Sequence, residues 1–395
     1  MKNLFIISNW MQGTGLSGGD RILIELTKRW HQKINISLFL SKEGDEICRR
    51  EGLNLPKQKV WVTDIFSGSI LIDGVYRTLK GIYNSLYTTI NRDDIILSAS
   101  DFWPDFAPAF ILKLRNPRIK WIASFYLFAP KPWLKNSPYR GTKRFLGLIY
   151  WVSQLPIYYI IKKFADLVFV TSEPDVNPFI TKERTSDKVV VVRGGVDMTP
   201  VKKYFESGEF ISIEQRKYDA CFVGRFHYQK GVLELIQIWQ KVCRKRPQSR
   251  LAIIGTGPLG GAIQNKINQL SIQNNIDLLG FMDGTEKFEI FKQSKTVVHP
   301  ATYDSGGMAA AEAMAWGLPG VGFDLEALKT YYPEGMLKTQ CFDLNEFARN
   351  ILLLLSNRNA YETLSQEATR LIREQWDWEK RAEEIFKCIA KSNMS

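Results

Sequence analysis

Histidine and cysteine are scarce in this 395-residue chain. The three histidines, His31, His227 and His299, lie far apart. The five cysteines, Cys48, Cys221, Cys243, Cys341 and Cys388, are odd in number and scattered. No metal-ligand spacing occurs among them, and Asp93-Asp94 has no neighbour to complete a site, so neither a metal nor a disulfide framework is expected. Free cysteines suit a reducing compartment. A secretory leader is also not expected, because Lys2-Asn3 precedes only the short run Leu4–Ile7 before glycine-rich sequence. The most apolar stretch, Phe145–Ile161, is at the short limit for a spanning helix and is interrupted by Ser153, Gln154 and Pro156.

Acidic residues are missing from one region. Residues 101–163 hold 11 Lys and Arg against 2 Asp and Glu. The imbalance extends over the first half: residues 1–195 have 28 basic and 17 acidic residues, while 196–395 have 25 and 24. Nearly all of the net charge of +12 therefore sits in the first half. That field suits an anionic partner, whether a membrane surface, a lipid phosphate or a nucleic acid; surplus lysine that merely aids solubility is the alternative. The length suits two domains, and 45% hydrophobic with 24% charged residues suits a folded protein rather than a disordered one.

The order of elements supports two halves. Leu4–Ile7 reads as a buried strand, followed by a glycine-rich loop from Gly13 to Gly19. Ile22, Leu23, Leu26 and Trp30 recur at helical spacing, and Ile34–Leu40 is the next strand. This βαβ start is that of a doubly wound parallel sheet. Further strands are expected at Val60–Val62, Ile95–Leu97, Trp121–Phe125, Asp166–Thr171 and Val189–Val192, and helices at 76–90 and 107–114. The polar stretch 198–217 reads as a linker. The pattern then restarts with strand Tyr218–Val223, a loop from Gly224 to Gly231 and a helix from Val232. Strand Leu251–Ile254 and the loop from Gly255 to Gly260 follow. Phe145–Ile161 reads as a helix or helix pair, either core or dipping one face into a membrane interface.

The chain is centred on His299–Pro319. A short strand runs into Asp304-Ser305-Gly306-Gly307, and an alanine-rich helix carrying Glu312 follows, closed by Gly317 and Pro319. Backbone N–H groups near Gly306–Ala309 would offer an anion site that glycine lets a ligand approach. The plain alternative is a tight turn with a solvated glutamate. Arg225 and Lys230 share one loop before a helix. As a planar fork and a mobile point charge, they suit a diphosphate and the charge that grows when it departs. Two G-x-G-x-x-G matches, at Gly13–Gly18 and Gly255–Gly260, lack the acidic residue after the next strand, which argues against dinucleotide redox chemistry.

These residues resemble glycosyltransferase family 4, retaining enzymes of GT-B fold. Gly224-Arg225…Lys230-Gly231, the pair Asp304 and Glu312 around Gly306-Gly307, and Glu312–Pro319 carry the resemblance. Gly18-Gly19-Asp20-Arg21, Gly194-Gly195-Val196-Asp197 and Trp378 resemble the family's glycine loop, hinge and crossing helix. The resemblance implies an α/β GT-B fold, with two Rossmann-like domains facing each other across a cleft. Residues 1–197 would be the acceptor domain and 198–375 the nucleotide-sugar domain, with a helix at 376–395 crossing back onto the first.

It implies roles residue by residue. Arg225 and Lys230 would hold the diphosphate, Glu312 the ribose hydroxyls and Asp304 the transferred sugar. Gly15, Gly18 and Gly19 from the first domain, with Gly224, Gly255, Ser305, Gly306, Gly307 and Met308, would surround the donor. Phe281 or Met282 would lie by the base. The family usually has Glu at Asp304, and many members carry a histidine after the strand matching Trp121–Phe125. Here Tyr126 stands there, and Asp101 is a second candidate on the acceptor side.

The implied function is retaining transfer from a UDP- or GDP-sugar to a lipid-linked or glycan acceptor, without a metal or other cofactor. It would take place at the cytoplasmic membrane face, with 101–163 in peripheral contact with anionic lipid. The alternatives are a GT-B-type epimerase, for which the three histidines supply few acid–base groups, or a non-catalytic protein that binds anionic surfaces or nucleic acid.

Overall fold

The structure, a computed structural model, describes residues 3–13, 16–62, 69–134, 137–139, 141–208, 211–304 and 306–392. Up to residue 191 the chain runs β1 (Asn3–Ser8), α1 (Gly18–Trp30), β2 (Asn35–Ser41), α2 (Lys42–Arg50), β3 (Gln58–Val62) and α3 (Ile70–Tyr87). It continues through β4 (Ile95–Ser98), α4 (Trp103–Arg115), β5 (Lys120–Ser124), α5 (Arg144–Phe164), β6 (Leu167–Val170) and β7 (Val189–Val191). Next come α6 (Thr199–Ser207), β8 (Tyr218–Val223), α7 (Val232–Lys245), β9 (Leu251–Ile254), α8 (Gly260–Gln269), β10 (Ile276–Gly280) and α9 (Gly284–Lys292). The last elements are β11 (Ser294–His299), α10 (Met308–Met314), β12 (Gly320–Phe323), α11 (Glu326–Tyr331), β13 (Met336–Thr339), α12 (Leu344–Ser356), α13 (Arg358–Gln375) and α14 (Trp378–Ser392).

The strands form two parallel sheets, ordered β3-β2-β1-β4-β5-β6-β7 and β10-β9-β8-β11-β12-β13. Strands covered on both faces need no polar side, and β4 (IILS), β6 (LVFV) and β9 (LAII) are buried at every position. In each sheet the order reverses once, between β1 and β4 and between β8 and β11. Open α/β sheets place their ligands beyond the carboxyl ends of the strands at such points.

The chain divides into two compact units. The first holds residues 1–129, 145–194 and 378–395; the second holds 130–144 and 195–377. Residues 130–144 thus pack with the second unit, although the sequence places them within the first domain. In the first unit, Ile96, Trp121 and Ile161 belong to one fully buried cluster. There α14 lies on α1: the Trp30 indole donates to the Ala382 carbonyl at 2.9 Å, and Arg29 pairs with Glu379 at 2.7 Å. In the second unit, one cluster built on Trp239 and another on Trp376 line the two faces of the sheet.

One expectation changes. The stretch 198–217 is no mere linker, because 199–207 fold as α6. Pro200 suits a helix's first turn, Val201 is buried, and Tyr204 meets Trp316 at 5.4 Å between ring centres. Phe145–Ile161 falls, as one of the two expected forms, within a single continuous helix, the 21-residue α5, which keeps Pro156 inside it.

Candidate active site

The second unit brings two loops together. Gly231 begins α7 at φ +61°, and a Cβ there would stand 1.8 Å from the Pro300 carbonyl oxygen. Only glycine allows that approach. The Gln229 carbonyl accepts from Thr302 N at 2.9 Å and from Tyr303 N at 3.3 Å, which zips the loop after β8 to the loop after β11. As a result Lys230, 74 positions away in sequence, donates to Asp304 at 2.5 Å.

Asp304 is buried among charged groups. His299 Nε2 is 3.4 Å from the same carboxylate oxygen. Burial opposes its ionisation, but Lys230 and His299 outweigh that and hold the carboxyl well below the usual carboxylate range. The glycines that follow are shaped by their neighbours. A Cβ on Gly306 would lie 3.0 Å from the Tyr331 ring, and one on Gly307, at φ +61°, 3.0 Å from His299 Nε2. The Tyr332 hydroxyl donates to the Gly307 carbonyl at 2.5 Å. No side chain caps α10, which is only seven residues long and starts at Met308. Ser305 lies outside the described residues.

Glu312 does not touch this pair. It faces Lys287 of α9, which donates to Glu312 and to Asp283 at 2.8 Å each. Lys287 is 6% exposed. Burial disfavours its charge, yet Glu312 and Asp283 hold its ammonium above the ordinary lysine range. Sequence reasoning missed Lys287. The signal was present as the spacing Asp283–Lys287, an i, i+4 ion pair on a short helix.

Arg225 is exposed and, among the described residues, makes no ion pair or side-chain hydrogen bond. Beside it His227 is pushed down to about 4, first by burial and then by Arg225, Lys230 and Lys143. Lys143 arrives from the 130–144 segment and lies 4.3 Å from the centre of the Tyr228 ring, its ammonium donating to the Tyr228 hydroxyl. Three cations therefore surround one loop, and Lys143 could not be placed from sequence because its neighbours in the chain belong to the other unit. A Cβ on Gly255, at φ +146°, would stand 1.9 Å from the Gly224 carbonyl oxygen. The second G-x-G-x-x-G thus serves to seat the loop carrying Arg225. Phe281 and Met282 follow β10, with Phe281 49% exposed.

In the first unit, Gly15 lies outside the described residues, and Gly18 and Gly19 open α1 behind a capping box of Ser17 and Asp20. A Cβ on Gly19 would meet the Tyr126 ring at 2.7 Å. Tyr126 N donates to Asp101 at 3.4 Å, and Gln154 of α5 donates to the other Asp101 oxygen at 2.6 Å. Asp101 and Tyr126 are therefore neighbours. Burial raises the Asp101 carboxyl to about 6, against the pull of Gln154 and backbone N–H donors. Among the described residues no three His, Cys, Asp or Glu side chains are grouped as a metal would require.

Two doubly wound sheets of these strand orders define the GT-B fold. Solved structures align with nearly the whole chain. HepE of Anabaena in complex with UDP has a TM-score of 0.71 and 17% identity, over 99% of this chain and all of that one. TarM of S. aureus, in a complex that includes UDP, gives 0.71 and 12% over 100% of both chains. Sucrose-phosphate synthase of Thermosynechococcus elongatus gives 0.71 and 16% over 99% of both. At these identities the likeness establishes the fold.

Residues 206–371 match the model of the family glycosyl transferases group 1. An uncharacterized glycosyltransferase of Methanocaldococcus jannaschii is 27% identical over 44% of this chain and 45% of its own length. The poly(glycerol-phosphate) alpha-glucosyltransferase of Bacillus subtilis is 21% identical over 41% and 24%. The chain spans less than half the length of these curated relatives. Among the described residues, no helix is long and apolar enough to cross a membrane.

Proposed function

We propose that the chain is a retaining glycosyltransferase. It moves a sugar from a nucleotide-diphosphate sugar, UDP- or GDP-linked, to a lipid-linked or glycan acceptor at the cytoplasmic membrane face. The observation that carries the reading is the Lys230–Asp304 pair at 2.5 Å, with Arg225 in the same loop making no ion pair among the described residues. A diphosphate is the ligand that can draw Lys230 from Asp304 and occupy Arg225 together. UDP bound to HepE and TarM supports a uridine donor.

In this reading Lys230 moves from the carboxylate to the phosphates, and Asp304 is released to accept from hydroxyls of the transferred sugar. Glu312, held by Lys287, accepts from the ribose hydroxyls. Gly224, Gly255, Gly306, Gly307 and Met308 line the donor. As the bond from the anomeric carbon to the diphosphate oxygen breaks, the growing negative charge is met by Arg225 and Lys230, which takes the place of a metal. The acceptor oxygen attacks from the face that the diphosphate leaves and forms the new glycosidic bond. Its proton passes to the departing phosphate oxygen. Retention follows from attack on that face. Asp101 and Tyr126 stand on the acceptor side, and the basic, apolar-faced first unit meets the membrane through its parts of 101–163, residues 101–129 and 145–163.

The test is release of donor diphosphate from a panel of UDP-, GDP- and ADP-sugars, with a crude lipid extract as acceptor. Wild type should turn over one donor, Lys230→Ala and Glu312→Gln should lose it, and the anomeric proton coupling of the product should match the donor's. A wild-type chain that neither binds nor consumes any nucleotide sugar would falsify the donor reading.

A further inference from the structure

Helix α3 is built inside out. Its buried positions are Arg77, Gly81 and Ser85. Arg77 donates inward to the Asn9 carbonyl at 3.2 Å and to Glu43 at 2.7 Å, and a Cβ on Gly81 would strike Pro108 at 2.7 Å. The aliphatic residues other than Ile82 point the other way. Leu71 is 70% exposed, Val75 60%, Leu79 62% and Tyr83 54%. They recur at intervals of four, so they form one stripe along the helix. A globular helix normally turns such a stripe to the core.

Helix α5 buries Ile157 and Ile161 in the core, yet its outer face is also apolar. Gln154 faces inward, bonded to Asp101 and the Leu127 carbonyl, while Phe145, Ile149, Val152 and Tyr159 face solvent at i, i+4, i+7 and i+14. Right-handed crossovers running β3 to β4, β4 to β5 and β5 to β6 place α3, α4 and α5 on one face of the sheet. Helix α3 packs on α4. Arg115 of α4 donates to the Ser85 carbonyl of α3 at 2.5 Å, and the Trp103 indole of α4 donates to the Ser153 carbonyl of α5 at 3.1 Å. The two apolar stripes therefore flank α4 within one layer.

The layer is cationic. The three helices carry seven Lys and Arg against two Asp; with Arg77 and Asp105 buried, six cations and one carboxylate remain. Lys80 and Lys162 lie over Tyr83 and Tyr158, their stems along apolar surface and their charges at its border.

We propose that the outward faces of α3 and α5 form one docking surface for an anionic lipid bilayer, with α3 as a second membrane-contacting helix beyond the 101–163 stretch. Aliphatic and aromatic side chains would enter the headgroup boundary while the bordering cations meet lipid phosphates. A second copy of the chain fits worse, since two-fold self-association through this face would set the same cations against each other. The inference rests on the membrane part of the function proposed above and not on its donor chemistry.

The experiment is co-sedimentation of the full chain with vesicles of phosphatidylcholine, alone or with about one third phosphatidylglycerol, in parallel with UDP titration without vesicles. Wild type should partition onto the anionic vesicles. The triple variant Leu71→Ser/Val75→Ser/Leu79→Ser should partition at least about tenfold less while keeping its UDP affinity and melting temperature. Lys162→Gln/Lys163→Gln should blunt the preference for anionic lipid. The inference is overturned if the triple variant sediments like wild type, or if wild type stays in the supernatant with both vesicles. A dimer in the ultracentrifuge that the triple variant dissolves would assign the face to protein instead. Failure of UDP binding with vesicle binding intact would sink the donor reading and leave this one standing.

Discussion

Asp304 and Asp101 occupy matching places in the two sheets. Each follows the strand on the far side of the point where strand order reverses, β11 in one sheet and β4 in the other. Their surroundings are opposite. Asp304 is buried against Lys230 and His299, and its carboxyl stays far below the usual range. Asp101 is buried against Gln154 and backbone N–H donors, with no cation paired to it among the described residues, and burial lifts it to about 6. Nearby Asp105, bonded to Trp10 N and Ser100, is lifted by burial to about 7. The same topological position thus holds a carboxyl kept far below the usual range in one unit and one raised to about 6 in the other. Cations, not burial, decide which.

The largest effect expected is on the charged side. Lys230→Ala should cut turnover of the donor by about a thousandfold, read as released diphosphate, because it removes a cation that meets the leaving group's charge. Turnover within a few-fold of wild type would break the comparison, since Asp304's ionisation would then have no role in the chemistry. Gly231→Ala comes next. It forces a Cβ onto the Pro300 carbonyl in a left-handed backbone, and should cost about 3 kcal/mol or more in urea unfolding.

Lys287→Met tests whether the second pair behaves like the first. Two carboxylates, Glu312 and Asp283, would lose their shared cation, so stability should fall by about 2 to 3 kcal/mol and the KM for donor should rise. An unchanged KM with reduced stability would make Lys287 structural alone. The smallest effect belongs to the uncharged side. Because burial raises Asp105 from 3.8 to about 7, the folded protein keeps a proton that the unfolded chain releases. Stability therefore falls as pH rises between these values and levels off above. Asp105→Asn should flatten that slope and be the more stable variant at pH 8, by roughly 2 kcal/mol. A slope that persists in the variant would assign the titration elsewhere.

Much of the second unit is legible in sequence because its requirements are local. Gly231 and Gly307 mark left-handed backbone beside close neighbours, and Arg225, Lys230 and Asp304 sit within a few residues of strand ends. Lys287 is harder to read, since its partner Glu312 lies on another helix. In the first unit, local patterns mislead. An apolar stripe at helical spacing reads as core, and for α3 nothing in residues 70–87 says that Arg77 and Gly81 are the inward side. That depends on Asn9, Glu43 and Pro108, distant in the chain. Likewise 198–217 looks like a linker until Tyr204 finds Trp316.

Membership of the two units alternates along the chain, at 129/130, 144/145, 194/195 and 377/378. No single cut separates them. Severing after residue 197 would leave the first piece without α14, whose Ala382 and Glu379 bond Trp30 and Arg29. It would also leave the second without Lys143 and Tyr139, which flank His227 and Tyr228. Each half borrows a segment from the other half's stretch of sequence. A recombinant fragment meant to isolate the second unit must therefore splice 130–144 back in. A swap of residues 1–197 between homologues would carry Lys143, and with it part of the electrostatics of the 224–231 loop.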